Sequence, residues 1–450
     1  MKKLKDRNFF MSEGQLKNEI NKCEYCEEKP CREACPANCS PADFIMAAKL
    51  QNPSDFRRAT AAILKNNPLG GVCGMVCPDK FCMRACVHNE FDMSLDIPNI
   101  QSTIVQRAKE LKVLPEFSKA KSNGKKVAII GAGPAGVAAA AYLTQKGFKV
   151  EIFEKNDKAG GACNLIPDFR LPKYVLKSDL DFVFNLSNIK VNYGKEIKES
   201  EIEKLKKQYD AVIVAIGLPV PYKMNICNED LAVAGTEYLK TPKSYNVKNK
   251  RVAVIGGGAT AADCAFIAQK LGAKRVEIFA LEVLGEMNLT VREMRELVES
   301  GIDVNGRIKV TSIISNDKKT INGLTTVKVE LPKDVKFNLR DIKEVPNTNQ
   351  SRNDIDFVII AIGNHSGLKK KNIKGVFYSG DCANGPTTVV EAVASGKNTG
   401  ALVEAYVLNK KAPKIEKPVK TYESIDGYNP LAVSLETEFF GRKIRSPFIL

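Results

Sequence analysis

One supersecondary unit occurs twice in this chain, and it dictates most of the fold. Lys126-Val-Ala-Ile-Ile130 is a short apolar strand that runs into Gly131-Ala132-Gly133-Pro134-Ala135-Gly136. An apolar helix from Val137 to Leu143 follows, and then a strand Val150–Phe153 ending at Glu154, 23 residues after Gly131. In such a unit the first glycine permits the tight turn and the second lets a pyrophosphate approach the backbone. The third lets helix pack on strand, the helix N-terminus faces the phosphates, and the terminal acid takes a ribose hydroxyl. The same order returns in Arg251–Ile255, Gly256-Gly257-Gly258-Ala259-Thr260-Ala261, a helix to about Leu271 and the strand Val276–Phe279. Aligning the copies sets Ala280 opposite Glu154, with Glu282 two residues on. A 2′-phosphate needs arginine or lysine there, so Ala280-Leu281-Glu282 favours NADH over NADPH. Arg292 and Arg295 on a following helix are the side chains able to reverse that preference. The competing reading of the second copy is a degenerate fold that binds nothing.

Two more apolar strands end alike, Ala211–Gly217 and Asp356–Gly363, and are expected to close the two units at glycine turns beside a cofactor. Val376-Phe-Tyr-Ser-Gly380-Asp381 ends in Gly-Asp before a helix from Thr387 to Tyr406. Asp381 is placed either to bond ribityl or ribose hydroxyls or simply to cap a helix.

Nine of the thirteen cysteines lie in the first 86 residues. They form Cys23-x2-Cys26-x4-Cys31-x3-Cys35-Pro36, with Cys39 beyond, and Cys73-x3-Cys77-Pro78-x3-Cys82-x3-Cys86. Proline after the fourth thiol is a ferredoxin-like signature, in which that thiol ligates the other cluster of a pair. Disulfides are disfavoured, because Met1 to Gly14 has no apolar signal core and thiols of a reducing, cytoplasmic compartment stay unpaired. Structural zinc is the other alternative, but zinc sites often recruit histidine, and the chain has only His88 and His365. Around these runs, residues 11–112 read as mostly helical. Ser40-Pro41 is expected to open one helix, and Ile97, Ile100, Ile104, Ala108 and Leu111 line the apolar face of another.

A length of 450 residues suggests about three domains. The net charge of +16 is spread over scattered lysines, with no basic stripe interleaved with aromatics, so nucleic acid is not an expected partner. No apolar run is long enough to span a membrane. Two nucleotide units beside two clusters describe a circuit. Flavin accepts a hydride pair from a nicotinamide and releases single electrons, the only parcel a cluster takes. Hydride transfer needs no catalytic acid, base or nucleophile, and none is assigned.

These residues resemble a known family. Asn67-Pro-Leu-Gly-Gly-Val-Cys73-Gly-Met-Val-Cys77-Pro and the first cysteine run look like the N-terminal half of dihydropyrimidine dehydrogenase. Ile166-Pro-Asp-Phe-Arg-Leu-Pro172 and Thr387-Thr-Val-Val-Glu391 fit the same family. The wider group includes the glutamate synthase small subunit and related flavin transhydrogenases, and the resemblance covers nearly all of residues 12–410. It implies an α+β multidomain flavoprotein: an α-helical iron–sulfur domain (1–118), then two Rossmann-like α/β nucleotide-binding domains. The FAD domain would comprise 119–250 and 365–410, the NAD(P)H domain 251–364. Two [4Fe-4S] clusters with crossed ligation are implied, one on Cys23, Cys26, Cys31 and Cys86, the other on Cys35, Cys77, Cys82 and Gln101. Spacing alone would choose Cys73 as the eighth ligand; the resemblance leaves Cys73 and Cys39 as non-ligands. FAD would be met by Gly131 to Gly136, Glu154, Gly161, Arg170, Ile197, Asp381 and Thr388. The nicotinamide cofactor would be met by Gly256 to Thr260, Glu282, Ala361 and Gly363. Members specific for NADPH carry a basic pair where this chain has Ala280-Leu281-Glu282, which again favours NADH.

Residues 411–450 read as a linker followed by Leu431 to Leu450, which looks like the opening of a dihydroorotate-dehydrogenase-like barrel. The expectation is the first part of a longer or split protein, with an FMN-containing barrel domain or subunit as partner, in a homodimer or heterotetramer. The expected function is the electron-input module of a dihydropyrimidine dehydrogenase. The alternatives are a glutamate-synthase-type small subunit, a ferredoxin-linked NAD(P)H oxidoreductase, or a non-catalytic zinc-binding scaffold.

Overall fold

The computed structural model describes residues 9–186, 189–332, 335, 337–428, 437–439 and 441–444. The chain is an α+β multidomain protein, a helical N-terminal domain followed by two parallel-sheet nucleotide-binding units. The helical part contains α1 (Glu13–Asn21), α2 (Pro30–Ala34), α3 (Pro41–Ala47), α4 (Pro53–Asn66), α5 (Gly70–Val76) and α6 (Ile97–Glu110). A capping box between Ser12 and Gln15 opens α1, which buries Leu16 and Ile20 one turn apart. Pro41 stands in the first turn of α3, but the Ser40 side chain makes no capping hydrogen bond; proline's fixed φ starts that helix. On α6 the buried face carries Ile97, Ile100, Gln101, Ile104, Val105 and Ala108. Gln101, Ser102 and Thr103 are its buried polar residues, and Gln101 carries the longest side chain of the three.

The first sheet contains β1 (Lys126–Ile130), β2 (Lys149–Phe153), β3 (Ile189–Asn192) and β4 (Ala211–Val214). Its order is Val376–Tyr378, β4, β1, β2, β3, all parallel. Parallel neighbours need a crossover, which α7 (Pro134–Gln145) supplies between β1 and β2. The strand Val376–Tyr378 pairs with β4 only after the chain has built an entire second sheet. That sheet runs Val233–Ala234, Phe357–Ile360, Arg251–Ile255, Arg275–Phe279, Asp303–Asn305, again all parallel. The second unit is therefore an insertion in the first. Entry and exit cross in a two-stranded antiparallel pair, Val220–Pro221 with Asn364–His365.

The long helix Val389–Val407 packs along α7 at small residues, where a Cβ on Gly400 would lie 2.9 Å from the Tyr142 ring. After it the chain lies across the helical domain. Thr421 N donates to Pro36 O at 2.9 Å, Ile425 N to Lys65 O at 2.7 Å and Ser118 N to Gly427 O at 2.8 Å. The barrel-like stretch 431–450 lies outside the described residues except for a hairpin of Thr437–Phe439 with Arg442–Ile444. Among the described residues no helix is long and apolar enough to cross a membrane.

Candidate electron-transfer site

The two cysteine runs interleave in space. Cys23, Cys26, Cys31 and Cys86 line one cavity, together with His88, Leu95 and Ile97. Cys35, Cys77, Cys82 and Gln101 line a second, with Cys39 and Cys73 also on its wall. Each cavity thus draws on both runs. Proximity in the fold, not in sequence, sets the grouping. Three of these thiols sit where helices end: Cys35 caps α2, Cys77 caps α5 and Cys86 precedes the 3-10 turn Val87–Glu90. Cys31 lies inside α2 and Cys73 inside α5. Among the described residues no three His, Cys, Asp or Glu side chains close around a single ion. A tetrahedral zinc would gather its ligands within about 2.3 Å of one point. Thiols ringing a cavity suit a cluster better.

The second, inner cavity is the more deeply buried. Gln101 Nε2 donates to Gly70 O at 2.6 Å, which commits the amide nitrogen and leaves the oxygen as the end able to act as a donor to iron. Cys35 is drawn down to about 7, first by the hydrogen bond from Cys39, against the upward push of burial. Cys39 moves the other way for the same reason. Cys77 is raised, first by its hydrogen bond with Cys73 and then by burial. Cys39 and Cys73 therefore stand as thiol neighbours of Cys35 and Cys77. A ligating thiol must give up its proton: Cys39 donates to Cys35 and supports its thiolate, whereas Cys77 keeps its proton towards Cys73 until a metal replaces it.

At the first glycine turn, Gly131 has φ +103° and a Cβ there would lie 2.5 Å from Ala215 O, so the turn tolerates only glycine. Glu154, 4% exposed, accepts from Ala132 N at 2.8 Å through Oε2 and from Asn156 N at 2.9 Å through Oε1. Its carboxylate props the turn from behind. Gly161 lies against Gly133, and Gly380 against Ala135, so the Gly-Asp loop meets the fingerprint helix. Asp381 takes the Thr387 hydroxyl at 2.5 Å and is raised to about 6 by burial. Thr388 caps the long helix through a capping box with Glu391. Ile197 is partly buried against the cluster that includes Ala128, Ile130, Val212 and Val214 of the first sheet.

At the second turn, Gly256 has φ +135° and a Cβ there would collide with the Ala361 carbonyl. Ala259 and Thr260 start the helix Ala259–Lys270, for which Gly258 is the N-cap, and Gly363 (φ +103°) lies beside Tyr222. Glu282 comes so close to Gly257 that a Cβ on that glycine would lie 2.5 Å from Oε2. Arg292 and Arg295 are exposed, and Arg292 pairs with Glu296 at 3.2 Å.

Arg170 belongs to the first unit but is held by the second. Its guanidinium bonds Asp263 at 2.6 Å and also Glu293, all three side chains being largely buried. Asp263 is raised to about 6, chiefly by burial, with Arg170 opposing. Likewise Asp179 of the helix Lys173–Phe184 accepts from Val72 N at 2.8 Å and lies 3.6 Å from Lys109, fastening α5 to the first unit. Asp179, Asp263, Glu293 and Lys397 were not expected as site residues. No local pattern marks them, because their partners are distant in sequence.

Residues 125–396 match the family model described as pyridine nucleotide-disulphide oxidoreductase. The chain belongs to this family. Residues 1–113 match a second model, domain II of dihydropyrimidine dehydrogenase with its 4Fe-4S cluster. As a pyridine nucleotide-disulphide oxidoreductase with a 4Fe-4S domain, the chain is an electron-transferring oxidoreductase. It is 31% identical to the NAD-dependent dihydropyrimidine dehydrogenase subunit PreT of Escherichia coli O157:H7, over 86% of this chain and 93% of that one. It is 29% identical to the glutamate synthase [NADPH] small chain of Escherichia coli K12, over 86% of this chain and 90% of that one. Among solved structures, Mycobacterium tuberculosis FprA in complex with NADPH superposes with a TM-score of 0.54 at 16% identity, covering 63% of this chain and 85% of that one. That likeness is one of fold.

Proposed function

We propose that this chain is the electron-input subunit of a dihydropyrimidine dehydrogenase. It would oxidise NADH and deliver electrons through FAD and two [4Fe-4S] clusters to an FMN-containing, dihydroorotate-dehydrogenase-like partner that reduces uracil or thymine. One observation carries the reading: the two cysteine runs cross to line two separate cavities, and Val390 of the first unit's long helix lines the inner one. Electrons leaving the first unit thus have a short way to a cluster site.

In this reading residues 119–250 and 365–410 form the FAD domain, 251–364 the nicotinamide domain and 1–118 the cluster domain. Gly131 to Gly136 and the N-terminus of α7 receive the pyrophosphate, with Glu154 holding the turn in shape and Asp381 facing the hydroxyls. When bound, FAD supplies the exchange between a two-electron nicotinamide and one-electron clusters. Gly256 to Thr260 receive the nicotinamide cofactor's phosphates. Glu282, close over Gly257, disfavours a 2′-phosphate there and supports NADH. Cys23, Cys26, Cys31 and Cys86 hold the outer cluster, and Cys35, Cys77, Cys82 and Gln101 the inner one.

Anaerobically purified protein should carry one FAD and about eight irons. Zinc without iron, or about four irons per chain, would reject the two-cluster circuit. Stopped-flow flavin reduction should be faster with NADH than with NADPH. Gln101→Ala should perturb one cluster signal while Cys73→Ala leaves both, and the reverse result would return the eighth ligand to Cys73. Copurification with an FMN protein that reduces uracil is the test of the partner.

A further inference from the structure

Lys397 is the most deeply buried charged side chain described, 0% exposed in the middle of the helix Val389–Val407. Its Nζ donates to Ala37 O at 3.0 Å, Asn66 O at 2.5 Å and Glu423 O at 2.6 Å. Three acceptors consume the three N–H bonds of an ammonium, whereas a neutral amine has only two to give. The geometry therefore calls for the charged form. All three acceptors are backbone carbonyls, and the Glu423 carboxylate is turned to the Tyr142 hydroxyl at 3.2 Å. A buried cation without a paired carboxylate is costly unless another negative group repays it.

The three carbonyls show where that group is. Ala37 lies in the loop between Cys35 and Cys39, and Asn66 is followed by Asn67; Cys35, Cys39 and Asn67 all line the inner cavity. Burial pulls the Lys397 ammonium down to about 8, while Cys39, Cys35 and, less strongly, the Glu423 carboxylate favour its charge. The same side chain joins three segments that meet nowhere in sequence: the inner cysteine loop, the end of α4 and the segment that follows the long helix.

We propose that Lys397 is a positioning residue for the inner [4Fe-4S] cluster, pinning the Cys35–Cys39 loop to the first nucleotide unit and holding a fixed positive charge that makes this cluster easier to reduce. The sign follows from electrostatics. Reduction adds one electron to the cluster, and a nearby cation in a low-dielectric wall stabilises that added charge. The same cation lowers the barrier to receiving an electron from the neighbouring flavin unit without touching the nicotinamide site. Lys397 itself lines neither cavity, but Cys35, Pro36, Cys39 and Asn67, which flank two of its acceptors, line the inner one and not the outer one, so the outer cluster should be indifferent to it.

This inference rests on the two-cluster reading, and the experiment separates the two. Holoprotein is purified anaerobically as wild type, Lys397→Gln and Lys397→Arg, with iron counted and each cluster's midpoint followed by EPR during redox titration. The inner signal is the one that Gln101→Ala alters. In Lys397→Gln the inner cluster should become harder to reduce by about tenfold, about 59 mV for a one-electron centre, with the outer midpoint unmoved. Lys397→Arg keeps the charge and enough donors for the carbonyls, so its inner midpoint should stay at the wild-type value. A Lys397→Gln protein with full iron and an unchanged inner midpoint overturns the proposal. So does a Lys397→Arg protein that loses the inner cluster or shifts its midpoint downward. If Lys397→Gln fails to fold, the arginine variant alone decides. A wild-type protein with one cluster or none defeats the circuit itself, whatever the lysine does.

Discussion

In the first nucleotide unit the acid at the end of the second strand is spent on the turn itself, because Glu154 is buried and takes the amides of Ala132 and Asn156. In the second unit the aligned residue is Ala280, and the carboxylate comes from Glu282, half-buried and close over Gly257. Both turns strain their first glycine in the same way, at φ +103° and +135°, against a carbonyl of the adjacent strand end. The shared part is backbone geometry, which the parallel sheet imposes. The differing part is what each turn presents to a ligand. A prop built into the turn suits a cofactor that stays, and a freer carboxylate at the mouth suits one that comes and goes and is selected by its ribose.

The contrast is broken most severely at Glu154. Glu154→Ala leaves the buried amide of Ala132 without its acceptor, at about 1–3 kcal/mol, and should lower Tm and strip FAD on gel filtration. Glu282→Ala should leave both flavin content and Tm nearly as in wild type. Equal flavin loss from both variants would erase the distinction.

A smaller effect is expected at the joint between the units, where Arg170 of one meets Asp263 and Glu293 of the other. Asp263 titrates near 6 in the folded protein against 3.8 as the ordinary value. The folded state thus holds this proton more tightly, so its contribution to stability is present at low pH. It is lost as pH rises from about 4 through about 6, and changes little above that. Wild type minus Asp263→Asn, followed by thermal melting, should fall by on the order of 1–3 kcal/mol across that window. A flat difference would show that Arg170 already keeps Asp263 ionised.

The smallest change concerns cofactor choice. Glu282→Arg should move the ratio of NADH to NADPH efficiency towards NADPH by about tenfold, roughly 1.4 kcal/mol. Flavin reduction rates with the two cofactors measure it. No movement would mean that Glu282 does not face the ribose.

Much of this was legible in the chain. The strands, both glycine turns and the apolar helices follow from patterns a few residues long, and the positions found for Lys126–Ile130 and Arg251–Ile255 are those read from sequence. The helix expected from Thr387 to Tyr406 is observed as Val389–Val407, since Thr388 is spent as its cap. The segment after residue 420 was harder to read. Its apolar anchors are few, and its described part is held by bonds to distant residues: Pro36, Lys65 and Ser118 through the backbone, and Tyr142, Lys146 and Lys397 through side chains. The Arg170 contacts span 93 and 123 residues, and those of Lys397 to the helical domain span 360 and 331. No periodicity or spacing reaches that far.

By itself the sequence determined the two nucleotide turns and the supply of thiols, because both depend on residue types a few positions apart: glycines that allow a left-handed turn, and thiols spaced to face a common centre. The crossed grouping of the thiols and the insertion of the second unit were implied by the family resemblance and not by spacing, and tertiary structure alone decided that a lysine near the end of the chain lies against the first cysteine loop. Those outcomes depend on which distant surfaces bury one another. Burial then does the chemistry, since a carboxylate or ammonium changes its behaviour only once its surroundings have been assembled and water excluded.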